Sequence, residues 1–365
     1  MGSAARRGGS SGRTGRSAFP DRRGADISGN NNGGKLTVSG VVSEGDNVAG
    51  WYLGEGDAVS GELRVDGETQ TSGSILGGYT EKGGALANSV MIDGSSVRPA
   101  ENEAGEELAP PLIVGGGSAD GDASDNRVTV TGGDMNLPDD LPGHLGDMSD
   151  ISGTVNAQAA MIVGGMAEKG TVSGSSAALA GMMAGGMAAG GAAAAESRAS
   201  GNRLGVYDRS LAMSAMMAMI GEASDNEMTV SGGSAAAGIS GAGLMAGGMS
   251  GFSSPDDIVE GAEGNVSGNT VIITDGTTVG GEAVIVGGIV GVTADESGQA
   301  EAAGAARDNT VILAGEADVS GAELYGWRAE DGTTEVQETS GNTLVIDNWS
   351  GSVKKAQNFD AVRFD

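Results

Sequence analysis

Residues 268–288, GNTVIITDGTTVGGEAVIVGG, are restated forty positions later as DNTVILAGEADVSGAELYG, residues 308–326. Each copy opens on an Asn, Asn269 or Asn309, and the second and fourth residues after it are apolar: Val271 and Ile273, Val311 and Leu313. A period of two ended by a turn signal is the pattern of a short strand with one buried face. The same line recurs as GKLTVSG (34–40), NSVMIDG (88–94), NRVTVTGG (126–133), NEMTVSGG (226–233) and NTLVID (342–347). Lys35, Arg127 and Glu227 all take the opposite parity, and a slip of one residue would bury those charges. The register of the repeated strand is therefore fixed by charge as well as by hydrophobicity.

Further landmarks keep phase with the Asn. Val279 and Val319 each lie ten residues after it, followed by Val284 with Val286 and by Leu324 with Tyr325, which run into Gly287, Gly288 and Gly326. This spacing predicts three short strands per unit, with the glycines at the turns between them. The later Asn residues, 226, 269, 309 and 342, are 43, 40 and 33 residues apart. A three-sided turn of chain needs about 18–25 residues. Each period is then one turn plus a polar loop such as ADESGQAEAAGAARD, or two turns of which the second is degraded.

Composition agrees with a thin, linear core. Glycine supplies 69 of 365 residues, roughly a fifth against a usual ~7%. Aromatics make up only 3% of the chain, so a core must be built from Val, Ile and Ala. No Gly-X-Y period runs through it, which excludes collagen. So extreme a composition also fits a chain without fixed structure. The formal charge is −29; residues 1–23 hold six Arg against Asp21, a net +5, so the rest carries −34. A body this acidic repels phosphate backbones and excludes nucleic acid as the main partner. Cysteine is absent, which excludes disulfides and thiolate metal sites.

The NTVxI line, its Gly-rich continuation and the V-x-V/Y-Gly-Gly strand resemble the passenger domains of Gram-negative autotransporters, the pertactin-like, Gly-rich adhesins. The tail NTLVIDNWSGSVKKAQNFDAVRFD (342–365) is similar to the segment in which such repeats end. The resemblance is strongest after residue 262 and thinnest over 134–220. It implies an all-β fold, a right-handed parallel β-helix with extruded loops, over residues 29–365 after a disordered basic lead-in at 1–28. Loops are expected near 95–124, 134–150 and 252–264. The implied function is that of a non-enzymatic, surface-displayed stalk or adhesin, extracellular or on a bacterial cell surface and monomeric. Its partner would be a receptor or glycan on a host or a neighbouring cell. Neither a secretion signal nor a C-terminal membrane barrel is read in the chain, so a fragment is expected, with export inferred from the resemblance. The competing class is a carbohydrate-active enzyme on the same scaffold.

No catalytic, cofactor or metal residue is assigned. His144, the one histidine, lies in LPDDLPGHLGDMSD with Asp139 and Asp140, an echo of the clustered aspartates and Gly-His-Gly turn of some β-helix polysaccharide hydrolases. Those enzymes draw their acids from neighbouring turns rather than from one loop, so a solvated loop is the better reading. Asp120, Asp122 and Asp125 offer oxygen ligands for calcium but match no EF-hand or RTX spacing. The recurring Asn is assigned to structure, as a turn former and a stacked amide ladder. The uncharged run 173–195, with Met182, Met183 and Met187, is too rich in Gly and Ala for membrane insertion. AMSAMMAMIG (212–221) reads as core strand in preference to a copper-binding Met cluster or a helix. Tyr325, Trp327, Trp349, Phe359 and Phe364 are expected to cap the C-terminal end.

Overall fold

A computed structural model describes residues 13–14, 26–30, 34–43, 48–71, 73–93, 96–98, 112–131, 161–167, 171–180, 183–193, 197–200, 202–207, 211–218, 221–231, 235–236, 244–250, 264–274, 277–279, 283–294 and 299–365. Every regular element among them is a β-strand. The strands form three long sheets, predominantly parallel, which the chain visits in the same cyclic order. One passage, here called a rung, runs through Leu112–Ser118 in a glycine sheet, Ala123–Ser124 in a short sheet and Arg127–Thr131 in a valine sheet. The next rung begins at Met161–Ala167. Each strand pairs with its counterparts one rung before and after; Val128, for example, lies between Val90 and Ala177. The arrangement is all-β and consistent with a β-helix or solenoid.

The alternation read in the sequence sets the valine sheet. Val90, Ile92, Val128, Val130, Met228, Val230, Val271, Ile273, Val311 and Leu313 are all buried, whereas Arg127 faces solvent. Their inner faces meet Ile75, Ile113, Ile162, Met245, Ile285 and Leu324 of the glycine sheet in one continuous core. A second, thinner core lies between the far halves of the glycine strands, at Ala167, Val290 and Ala329, and the short sheet, at Ala85, Ala123, Val172, Ala223, Val266 and Ala306. These two slender cores meet at a waist, and smaller buried clusters lie apart from them at Ala49, Leu76 and Val114 and at Ala246, Val286, Ile289 and Tyr325.

Several expectations need correction. The third strand of each unit is the pair just before the Asn, as in Val266–Ser267 and Ala306–Arg307, rather than the segments at Val279 and Val319. Thr278–Val279 pairs with Ala235–Ala236, off the main path, and with a single bridge residue of the next rung, where Val279 N–H donates to the Asp318 carbonyl at 2.9 Å and Asp318 N–H to the Thr277 carbonyl at 2.8 Å; Val319 is buried in the connection before Glu323–Ala329. The glycine pairs are not at turns: Gly287 and Gly288 stand inside strand Val284–Val290, and Gly77 and Gly78 inside Ile75–Thr80. Of the loop expected at 95–124, residues 112–124 belong to the rung itself. Loops 134–150 and, up to 263, 252–264 lie outside the described residues. Leu211–Ala218 is a strand, so most of the 212–221 run adopts the extended reading over the helical one.

The two ends differ. Asp26–Asn30 pairs antiparallel with Lys35–Ser39, and Arg13–Thr14 antiparallel with Trp51 and Tyr52, where the lead-in was expected. At the other end, Trp349 and Phe359 pack on the main core, Trp327 packs on the thin core, and Tyr325 is buried outside both. Phe364 does not act as a cap; it is 79% exposed on the last strand, Ala361–Phe364.

The register makes a sharp prediction. Ile273→Asp buries an unpaired carboxylate between stacked strands and should cost several kcal/mol, whereas Thr274→Asp, on the outer face, should stay within about 0.5 kcal/mol of the parent. Denaturant melts of the two variants measure the difference.

Candidate functional site

The most ordered polar feature of the molecule is a buried seam of asparagines. In each of nine rungs the connection from the short sheet to the valine sheet is two residues long, from Val59 to Glu62 through Ser340 to Thr343. The second of the two is Asn88, Asn126, Asn202, Asn226, Asn269, Asn309 or Asn342 in seven of them, and each of these side chains is buried. Asn226 shows the full pattern. Its Nδ2 donates to Asn269 Oδ1 at 2.9 Å and to the Ala199 carbonyl at 3.1 Å, and its backbone N–H donates to Asn269 Oδ1 at 3.2 Å. Its own Oδ1 accepts the Nδ2 of Asn202 at 3.1 Å. Both amide hydrogens and the amide oxygen are used, the condition under which a polar side chain can be buried at little cost.

The glycine pairs exist to admit this seam. A Cβ on Gly116 would collide with the Asn126 amide, and one on Gly248 with the Asn269 amide. The preceding glycine of each pair lies against the next rung: a Cβ on Gly115 would strike the Gly164 carbonyl, and one on Gly77 the Gly115 carbonyl. The waist between the two cores is thus a close contact of amide against bare backbone.

Left-handed backbone falls one residue before the Asn, not on it. Asp125, Asp225 and Asp308 have φ of 55°, and Gly268 and Gly341 have φ of 64° and 72°. Aspartate and glycine answer each other between neighbouring rungs. The Asp225 carboxylate occupies the space a Cβ on Gly268 would need, and Asp308 does the same above Gly341. The seam is interrupted once, where Asn126 N–H donates to Ser175 Oγ at 3.2 Å and Ser175 N–H donates to Asn202 Oδ1 at 3.1 Å. It starts at Gly61, whose N–H donates to Asn88 Oδ1 at 2.7 Å. Beside this small residue Trp51 replaces the second glycine, aligned with Gly78. It ends at Asp360, whose Oδ2 accepts both the backbone N–H of Asn342, at 2.8 Å, and its Nδ2, at 3.3 Å.

Gly61, Ser175, Asn202 and Asp360 were not among the repeat lines recognised in the sequence, although their signal is present. Leu63 and Val65, Ala177 and Leu179, Leu204 and Val206, and Val362 and Phe364 stand at the second and fourth positions after them. With these included, successive rungs are 18 to 49 residues apart, so each Asn period is one rung with insertions rather than two.

His144, Asp139 and Asp140 lie outside the described residues, as does Met182. Asp122 Oδ1 accepts the N–H of Thr171 at 2.8 Å, as Asp57 Oδ1 accepts that of Gly84 at 2.7 Å, so these carboxylates staple adjacent rungs. Asp125 is the corner residue above, and the Asp120 carbonyl accepts the N–H of Gly83 at 3.1 Å. Among the described residues no three His, Cys, Asp or Glu side chains converge on a metal position, and no helix is long and apolar enough to cross a membrane. Perturbed acids cluster in the last rungs. Asp331 accepts the backbone N–H groups of Thr334 and Thr333, each at 2.9 Å, and then their hydroxyls, which holds its carboxyl well below the usual range. Hydrogen bonds from Tyr325 and then from Lys354 lower Glu323.

No family model, no curated protein and no solved structure matches the chain.

Three outcomes follow from the seam and its neighbours. Asn269→Ala strands the backbone N–H of Asn226 and the one Nδ2 hydrogen that Asn226 gives to Asn269; at about 1–3 kcal/mol per buried orphan it should cost at least about 2 kcal/mol in a denaturant melt. Ser175→Asn restores the missing link beside Gly174, whose φ of 59° matches the regular corners, and should raise the melting temperature. Asp331 has a lowered folded pKa, so its contribution is complete above the ordinary Asp value of about 3.9 and is lost as pH falls through the lowered one. The Thr333 and Thr334 amide resonances should therefore keep their neutral-pH positions at pH values where a free aspartate is already protonated.

Proposed function

We propose that the chain is a right-handed parallel β-helix of the autotransporter-passenger type, a non-enzymatic rod that displays loops at a bacterial cell surface. The observation that carries this reading is the unequal treatment of the three corners. The asparagine corner is two residues long in all nine described rungs that have a short-sheet strand, while the other two corners take up the variation in rung length. The antiparallel pair Val292–Ala294 and Ala300–Ala302 is such an insertion at the corner leading to the short sheet. The sequence runs 18 residues from Ser89–Asp93 of the valine sheet to Leu112–Ser118 of the glycine sheet and 29 from Arg127–Thr131 to Met161–Ala167. A scaffold that holds one edge constant and varies two is suited to presenting contact surface, since loops can change without disturbing the seam. The acidic charge of −29 favours a rod that stays apart from its own copies. A receptor or glycan on a host or neighbouring cell is the class of partner this reading implies.

The test is an epitope inserted after Glu316, an exposed residue in the connection between Thr310–Ala314 and Glu323–Ala329, in cells that produce the chain. Display predicts antibody labelling of intact cells. Labelling only after permeabilisation contradicts it. The same epitope placed between Asp308 and Asn309 should abolish folding.

A further inference from the structure

The outer face of the valine sheet changes character along the rod. Its early rungs present Glu62, Arg64, Asp66 and Asp93, with Arg64 Nε 2.7 Å from Asp66. In the later rungs the same positions hold Thr229, then Thr270, Ile272 and Thr274, then Thr310, Ile312 and Ala314, then Thr343 and Val345. The register is unshifted: Thr270 lies beside Thr310 and Thr310 beside Thr343, while Ile272 lies beside Ile312 and Ile312 beside Val345. All but Thr343 are partly exposed. Charge borders the array, with Glu227 and Asp347 in these rungs and Arg363 beside Val345 on the last strand. The hydroxyls of Thr229, Thr270, Thr274 and Thr310 make no hydrogen bond to another described residue.

The result is a two-dimensional array of methyl and hydroxyl groups, repeating at about 4.8 Å from rung to rung and about 6.7 Å along each strand. In a chain with 49 acidic and 20 basic residues, an uncharged face of this regularity calls for a partner that is itself uncharged and periodic. A folded protein, a second copy included, is a poor fit. Four rungs by three positions offer only a few hundred Å², against the roughly 800 Å² per partner that a stable interface needs. A crystalline polysaccharide is also a poor fit, since these positions carry no aromatic ring to stack on a sugar. Water fits: the methyls of Ile272, Ile312 and Val345 restrict the orientations of the first hydration layer, and the threonine hydroxyls anchor it by donating and accepting.

We propose that this face binds ice, by holding an ordered layer of water in register with the crystal surface. The inference is independent of cell-surface display. It is tested by growing ice slowly from a dilute solution of the full chain and measuring how much protein the ice takes up relative to an inert protein. The parent chain should be enriched several-fold. Ile312→Lys, at the centre of the array, should fall to the inert level, and Met91→Lys, on the charged part of the same face, should behave as the parent does. Circular dichroism establishes that each variant folds, and Thr274→Lys serves in place of Ile312→Lys if that variant does not. Exclusion of the parent from ice, equal uptake of the central variant, or retention on crystalline cellulose without uptake into ice overturns the proposal.

Discussion

A primary amide cannot be buried unless both of its hydrogens and its oxygen find partners, and that constraint organises this molecule. Asn226 meets it only because Asn202 and Asn269 stand directly before and after it in the stack and because the short sheet turns a carbonyl toward Nδ2. Each asparagine therefore depends on the next rung being present and in register. An apolar residue at the same position would impose no such condition, because hydrophobic contact is indifferent to a small slide. The seam turns a stack of weakly specified strands into one with a single alignment.

The rest of the rung follows from accommodating the seam. Amides at the waist leave no room for a Cβ opposite, so glycine pairs sit in the interior of strands, where glycine is otherwise unfavourable. The sharp corner that aims the amide inward needs one left-handed residue, which Asp225, Asp308, Gly268 and Gly341 provide in alternation. Dividing the interior at the waist leaves two cores narrow enough for Val, Ile and Ala to fill, which accounts for a fold with 3% aromatic residues. Where the seam starts a larger residue appears, Trp51 beside Gly61, and in the rung of Asn342, the last asparagine, Trp327 takes the second-glycine position, aligned with Gly288.

Much of this was legible in the sequence because two signals were periodic. Alternation around Val271 and Ile273 fixed the valine sheet and its register, and the recurring Asn marked the corner. What was not legible depended on contacts across rungs. Gly287 and Gly288 read as turn residues because glycine's commonest role is conformational; that they clear space for Asn309 is visible only once the sheets face each other. The short-sheet strands are two residues long in Ala123–Ser124 and Ala306–Arg307, too brief to show any alternation. Ser175 and Asp360 do not carry the corner Asn, so only the apolar spacing of their rungs marks them in the sequence.

The central claim, that the asparagine side chains form one buried hydrogen-bonded seam, is tested most directly by hydrogen exchange at the side-chain amides followed by NMR. The Nδ2 hydrogens of Asn202, Asn226, Asn269 and Asn309 should exchange orders of magnitude more slowly than those of exposed Asn348, and their protection should be lost together as the fold opens. Exchange of the seam amides at the rate of Asn348 would contradict the account.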